Sequence, residues 1–145
     1  LYNAGAIGYL AMRNATVAGA VGGCQAEVGV ASAMAASAAA ELLGASPKSC
    51  LDAASTVLMN MLGLVCDPVG GLVKYPCQNR NAAGVANALI AAEMALSGIV
   101  QRIPLDEMID VMYSVGKRLP VELRETALGG CATAPSVCNA CLGCK

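Results

Sequence analysis

Residues 60–81 read Asn60-Met-Leu-Gly-Leu-Val-Cys66-Asp-Pro-Val-Gly-Gly-Leu-Val-Lys-Tyr-Pro-Cys77-Gln-Asn-Arg80-Asn81, and they divide an alanine-rich chain into two helical halves. Proline lacks the amide hydrogen a helix needs, and glycine adds conformational freedom. Asp67-Pro68, Gly70-Gly71 and Tyr75-Pro76 therefore forbid one continuous helix. Gly63 to Pro76 reads as a structured loop with a cysteine near each end.

Working outward toward the N-terminus, Ser46-Pro47 is an N-cap followed by proline at the first helical position. It predicts a helix to about Leu62 with Leu58, Met61 and Leu62 as its buried stripe. Before it, a helix is expected from about Gln25 to Leu43, with Glu27 in its first turn and Gly44 as its stop. Gly29, Ala33 and Ala36 give that helix a nearly flat packing face. Asn3 to Ala15 has helical composition and runs into Gly19, Gly22 and Gly23, read as a loop beside Cys24.

Toward the C-terminus, about Gln78 to Ser97 is helical and Gly98 stops it. Pro104 opens another helix, with Asp106 and Glu107 in its first turn and Lys117 and Arg118 in its last, as the helix dipole favours. Leu105, Met108, Ile109 and Met112 share one face of it, a core stripe. Val121 to Ala127 is a short helical candidate, and beyond Gly129-Gly130 the tail is irregular. The expectation is an all-α fold: a compact bundle of about five to six Ala-rich helices with glycine-rich, cysteine-bearing loops. Residues 1–130 form the helical unit and 131–145 a cysteine-rich tail.

Composition narrows the chemistry. The 145 residues suit one domain, and the opening Leu1-Tyr2-Asn3-Ala4-Gly5 reads as the interior of a longer chain. The chain is 57% apolar yet has no Phe or Trp, so its core must rest on small side chains and close backbone approach. A net charge of −1 without a basic cluster argues against nucleic acid as a partner. Val28 to Ala40 is too short and too weakly apolar to span a membrane, and no stretch reads as a targeting segment. Eight cysteines set among glycines and apolar residues then favour metal ligation in a reducing cytoplasm over disulfides.

Cys24 follows the glycine cluster, and Cys66 and Cys77 bracket the Asp-Pro and Gly-Gly loop. Thiolates are soft ligands suited to iron–sulfur clusters, and glycine-rich loops and helix N-termini supply N–H groups to the sulfurs. From spacing alone, metal binding and inert packing both stand, because free cysteine is commonly buried. Cys131, Cys138, Cys141 and Cys144 form a second set, its last three reading Cys-x2-Cys-x2-Cys. That set fits a separate iron–sulfur cluster, a structural zinc or a thiol-rich terminus.

Three stretches, taken in order, resemble the alpha chain of bacterial iron–sulfur L-serine dehydratases. They are Ala18-Gly-Ala-Val-Gly-Gly-Cys-Gln-Ala-Glu-Val-Gly29, the Asn60–Asn81 segment, and Leu123-Arg-Glu-Thr-Ala-Leu-Gly-Gly130. The middle stretch is the most specific, because it sets two cysteines, two prolines and an Arg-Asn pair at fixed distances. The resemblance implies an all-helical catalytic domain in which Cys24, Cys66 and Cys77 bind three irons of a [4Fe-4S] cluster. The fourth iron then serves as a Lewis acid in converting L-serine to pyruvate and ammonia.

It also implies that Cys144, next to last, can reach the cluster. The implied partners are the rest of the alpha chain, a beta chain or domain and an oligomeric assembly, so this piece alone is expected to be inactive. Arg80 and Asn81 at a helix start are candidates for the substrate carboxylate, or else a solvated helix start. Arg124 and Glu125 read as an ion pair fixing the tail or as substrate contacts. The pattern is broken at Val21, where many members carry Glu, and the absence of histidine leaves the base unidentified. The alternatives are an electron-transfer or metal-binding module built on the tail cysteines, and a related L-cysteine desulfidase.

Overall fold

Alanine decides how near the helices come to one another. In the computed structural model, which describes residues 1–137, the chain forms α1 (Tyr2–Asn14), α2 (Gly19–Gly22), α3 (Val30–Leu42), α4 (Pro47–Asn60), α5 (Cys77–Leu96) and α6 (Leu105–Arg118). Helix α3 is the central element and packs against α1, α4 and α5. Its Ala33, Ala36 and Ala40 share one buried core with Ala53, Ala54 and Val57 of α4 and Ala88, Ala91 and Ala92 of α5. Small facing side chains let the backbones approach closely, and this replaces the bulk that aromatic residues supply in other cores.

The all-α expectation holds, and most helix limits fall within two residues of those read from the sequence. Ser46 caps α4 by accepting a hydrogen bond from the Ser49 amide, with Pro47 at the first helical position. Leu105, Met108, Ile109 and Met112 are all buried, the face that anchors α6.

Four expectations need correction. The Gly19–Gly22 stretch is not a loop but the short helix α2, joined through Cys24 to a π-helical turn at Gln25–Gly29 that runs into α3. Of the α4 stripe only Leu58 is buried, because the helix ends at Asn60 and the chain turns, leaving Met61 half-buried and Leu62 exposed. Val121 to Ala127 is not a helix beyond a 3-10 turn at Val121–Leu123. There the Cys66 amide donates to Leu123 O (2.9 Å) and the Glu125 amide to Cys66 O (2.7 Å), so backbone groups a helix would use are spent on a parallel bridge between Cys66 and Arg124. The expected ion pair is absent too: among the described residues Arg124 and Glu125 form none, and Arg124 Nε is buried without a hydrogen-bond partner.

Among the described residues no helix is long and apolar enough to cross a membrane. Cys138, Cys141 and Cys144, and the expectations resting on them, lie outside the described residues.

One contact joins the core to the cysteine-bearing end. A Cβ added at Gly116 of α6 would stand 2.7 Å from Gly22 Cα and 2.9 Å from Gly22 O, both backbone atoms that cannot yield by rotating. Gly116→Ala is therefore expected to destabilise the fold by about 1–3 kcal/mol, the usual cost of overpacking, although alanine is the better helix former by about 1 kcal/mol. Denaturant unfolding of the two proteins checks this.

Candidate metal centre

Cys24 begins where the glycine-rich turn ends. Gly23 has φ of +75°, which alanine would adopt only with strain, and it lies against Leu64 of the loop after α4. The Gln25 amide donates to Leu64 O (3.0 Å), and the Gln25 side chain ties Gly63 N to Met112 O. These contacts bring the loop carrying Cys66 onto the first turn before α3. Cys24 and Cys66 are then 1% and 3% exposed, in a small apolar cluster with Val28, edged by Met61 and Leu64.

Glu27 completes this group. The ligand atoms of Cys24, Glu27 and Cys66 all lie within 4.8 Å of one another, with Cys66 Sγ 4.0 Å from Glu27 Oε2. Sequence reasoning placed Glu27 only in a helix's first turn; the Cys24-x-x-Glu27 spacing, which puts both on one face, was the available signal. The Gly19 backbone beside it favours the charged Glu27 carboxylate. Burial pushes the Glu27 carboxyl above its ordinary range, and the nearby charge of Glu125 adds to the effect.

The thiols respond in the same way. Burial raises Cys24, while hydrogen bonds with Cys66 and Arg80 work against the rise. Cys66 is raised more strongly, first by burial and then by the charges of Cys24, Glu27 and Glu125. Both are free thiols, as are buried Cys50 and Cys77 and half-buried Cys131.

Arg80 supplies the positive charge. Its Nη1 donates to Val65 O (2.8 Å) and Asp67 Oδ1 (2.5 Å) and lies 3.9 Å from Cys24 Sγ. Asp67 is the hub of this corner, a role hidden in the sequence behind its reading as half of a helix-breaking Asp-Pro pair. Its second oxygen accepts the Cys131 amide at 2.6 Å, which fastens the start of the tail. Burial alone would raise the Asp67 carboxyl, but the bonds from Arg80 and Cys131 outweigh it and hold it below the usual carboxylate range.

Cys77 opens α5, three residues before Arg80, and is 6% exposed. It is outside the close Cys24–Glu27–Cys66 group. Its carbonyl accepts the side-chain amide of Asn81 at 2.9 Å, an i to i−4 bond within the helix, and Asn81 is otherwise exposed.

Gly19 leaves the room this group occupies. A Cβ there would stand 2.6 Å from Glu27 Oε2 and 3.1 Å from Cys66 Sγ. Gly19→Ala is expected to push the Glu27 carboxylate aside at a cost at or below about 1 kcal/mol, because that carboxylate is the far end of a flexible side chain and can rotate away. A shift of the denaturant midpoint together with faster alkylation of Cys66 is the measurement.

A family described as serine dehydratase alpha chain matches residues 1–132. The probable L-serine dehydratase alpha chain of Bacillus subtilis (strain 168) is 56% identical over 136 residues, covering 94% of this chain and 45% of that protein. The L-serine dehydratase alpha chain of Peptoniphilus asaccharolyticus is 54% identical over 126 residues, 87% of this chain and 43% of that one. L-serine dehydratase 2 of Escherichia coli (strain K12) is 47% identical over 137 residues, 94% of this chain and 30% of that protein. The chain thus spans less than half the length of these three relatives. With its helical bundle and its buried cysteine-bearing corner, the chain belongs to the serine dehydratase alpha chain family.

Proposed function

We propose that this chain is the cysteine-bearing part of an L-serine dehydratase, converting L-serine to pyruvate and ammonia with a [4Fe-4S] cluster held by Cys24, Cys66 and Cys77. The observation that carries the reading is the meeting of the buried free thiols of Cys24 and Cys66 beside the Arg80 guanidinium, which stands on the first turn of the helix that buried Cys77 opens. The donor set fits such a group. Sulfur donors are soft, the corner is apolar, and bound metal supplies the charge that keeps buried thiolates deprotonated. The relatives' names supply the substrate.

In the reaction, L-serine loses its α-proton and β-hydroxyl as water, and the resulting enamine takes water back to leave as pyruvate and ammonia. Held by Cys24, Cys66 and Cys77, such a cluster would supply Lewis-acid assistance to the departing hydroxide. The chain's own residues do the positioning. Arg80 holds Cys24 and the Val65–Asp67 turn in one geometry, and the bridge to Arg124 fixes the backbone of Cys66.

Arg80 and Asn81, at the start of α5, take the substrate side of the site, where a guanidinium and a helix N-terminus favour a carboxylate. Cys144 would supply a further thiolate to such a cluster. The rest of the alpha chain and a beta chain complete the oligomeric enzyme, which works in the reducing cytoplasm that its free thiols require.

The full-length protein with its partner chain, reconstituted anaerobically with iron and sulfide, tests this. Pyruvate formed from L-serine and lost on exposure to oxygen is the expected result. Cluster uptake with no pyruvate from L-serine, or turnover of L-cysteine alone, contradicts the assigned substrate.

A further inference from the structure

Cys24, Cys66 and Glu27 are spaced for one ion. Zinc-class cations bind thiolate at about 2.3 Å and carboxylate oxygen at about 2.0 Å, so such donors on one tetrahedral ion stand about 3.5 Å apart. The Cys66 Sγ to Glu27 Oε2 distance is 4.0 Å and all three donors lie within 4.8 Å, so a contraction of about half an ångström for that pair, and of no more than about 1.3 Å for any pair, closes them on a single metal. Thiolates of a polynuclear cluster bind different metals and stand farther apart, and Cys77 is not in the close group.

We infer that Cys24, Cys66 and Glu27 form a site for a single thiophilic divalent cation of the zinc class, which competes with cluster assembly for two of its thiolates. The outer contacts suit such a site. Gly19 stands against the Glu27 carboxylate and leaves it no room to swing toward α2, and Arg80 Nη1 faces Cys24 Sγ and offsets anionic charge. Glu27 sits in the π-helical Gln25–Gly29 turn directly after Cys24, an irregularity that often marks a functional position. Binding replaces the two thiol protons, which leave to solvent, and three protein donors leave the fourth position to water.

The binding itself needs only these three donors; the competition rests on the iron–sulfur reading above. The test uses the full chain with Cys138, Cys141 and Cys144 changed to serine, so that the tail thiols contribute nothing, and Co2+ alone as the spectroscopic probe under anaerobic conditions. One equivalent should give thiolate-to-cobalt absorption in the near ultraviolet and tetrahedral bands in the visible, all displaced by Zn2+. Glu27→Gln, nearly isosteric, should weaken Co2+ by at least about tenfold with circular dichroism unchanged. Cys24→Ser should remove the charge-transfer absorption.

Cys77→Ser separates the two readings. Cobalt binding should survive it while iron–sulfide reconstitution fails. Binding that is indifferent to Glu27→Gln, or is lost with Cys77→Ser, overturns the single-ion site. Failure of the unmodified protein to take up a cluster, with cobalt still bound through Glu27, overturns the cluster reading alone.

Discussion

Cys66→Ser in the full-length protein is expected to lower cluster occupancy and pyruvate formation by roughly 100-fold or more, with little loss of fold stability. The two effects separate because two different parts of Cys66 do the work. Its amide and carbonyl pair with Leu123 O and the Glu125 amide, and those bonds are indifferent to the side chain. Its sulfur faces Cys24 and Glu27, where serine offers a hard, poorly acidic oxygen in place of a soft thiolate. Cys50→Ser is the matched control. Cys50 is also buried and free, but it lies beneath the groove between α1 and α4, where its thiol meets Ala45 O. Iron content and turnover should be unchanged there, and iron-to-protein ratios after anaerobic reconstitution measure both variants.

Asp67→Ala is expected to cost about 3 kcal/mol, far more than the loss of an exposed ion pair. The Asp67 and Arg80 side chains are 2% and 17% exposed, so removing the carboxylate strands a largely buried guanidinium and frees the Cys131 amide. Lys48–Asp52, an i,i+4 pair whose lysine is 69% exposed, offers the contrast. Lys48→Ala should cost about 0.3–0.5 kcal/mol. Equilibrium denaturation gives both values. Comparable losses at the two sites contradict the role given to Asp67. Limited proteolysis should also cut after Gly130 faster in Asp67→Ala, since its tail root has lost its tether.

The helices were legible because their signals are local. Ser46-Pro47 caps α4 and the acidic and basic ends of α6 match its dipole, so neither needs knowledge of the rest of the chain. The Val121–Ala127 segment misled for the opposite reason. Its helical composition yields to backbone pairing with Cys66, more than fifty residues away, and Glu125 and Ala127 take positive φ values of 67° and 57° to allow it. At the cysteine-bearing corner, the loop positions of Cys24, Cys66 and Cys77 and the presence of Arg80 beside them could be read from the motifs. Asp67 was hidden because its role depends on Cys131, distant in sequence, and Glu27 was signalled only by its spacing from Cys24, its contact with Cys66 being visible in the fold alone.

The alanine content foretold close packing but not its direction. In the second half of α5, Ala88, Ala91, Ala92 and Ala95 are buried in the core that α3 and α4 share with it, while Val85, Leu89 and Ile90 lie exposed, the reverse of what residue size suggests. Only the nearness of the central helix explains the choice.

Iron and acid-labile sulfide, counted in the anaerobically reconstituted full-length protein and in its Cys24→Ala, Cys66→Ala and Cys77→Ala variants, test the central claim most directly. Roughly four irons per unmodified chain, with most of the iron lost in each variant, is the predicted result. Iron content unchanged by all three substitutions would show that the cluster, if one binds, is held elsewhere.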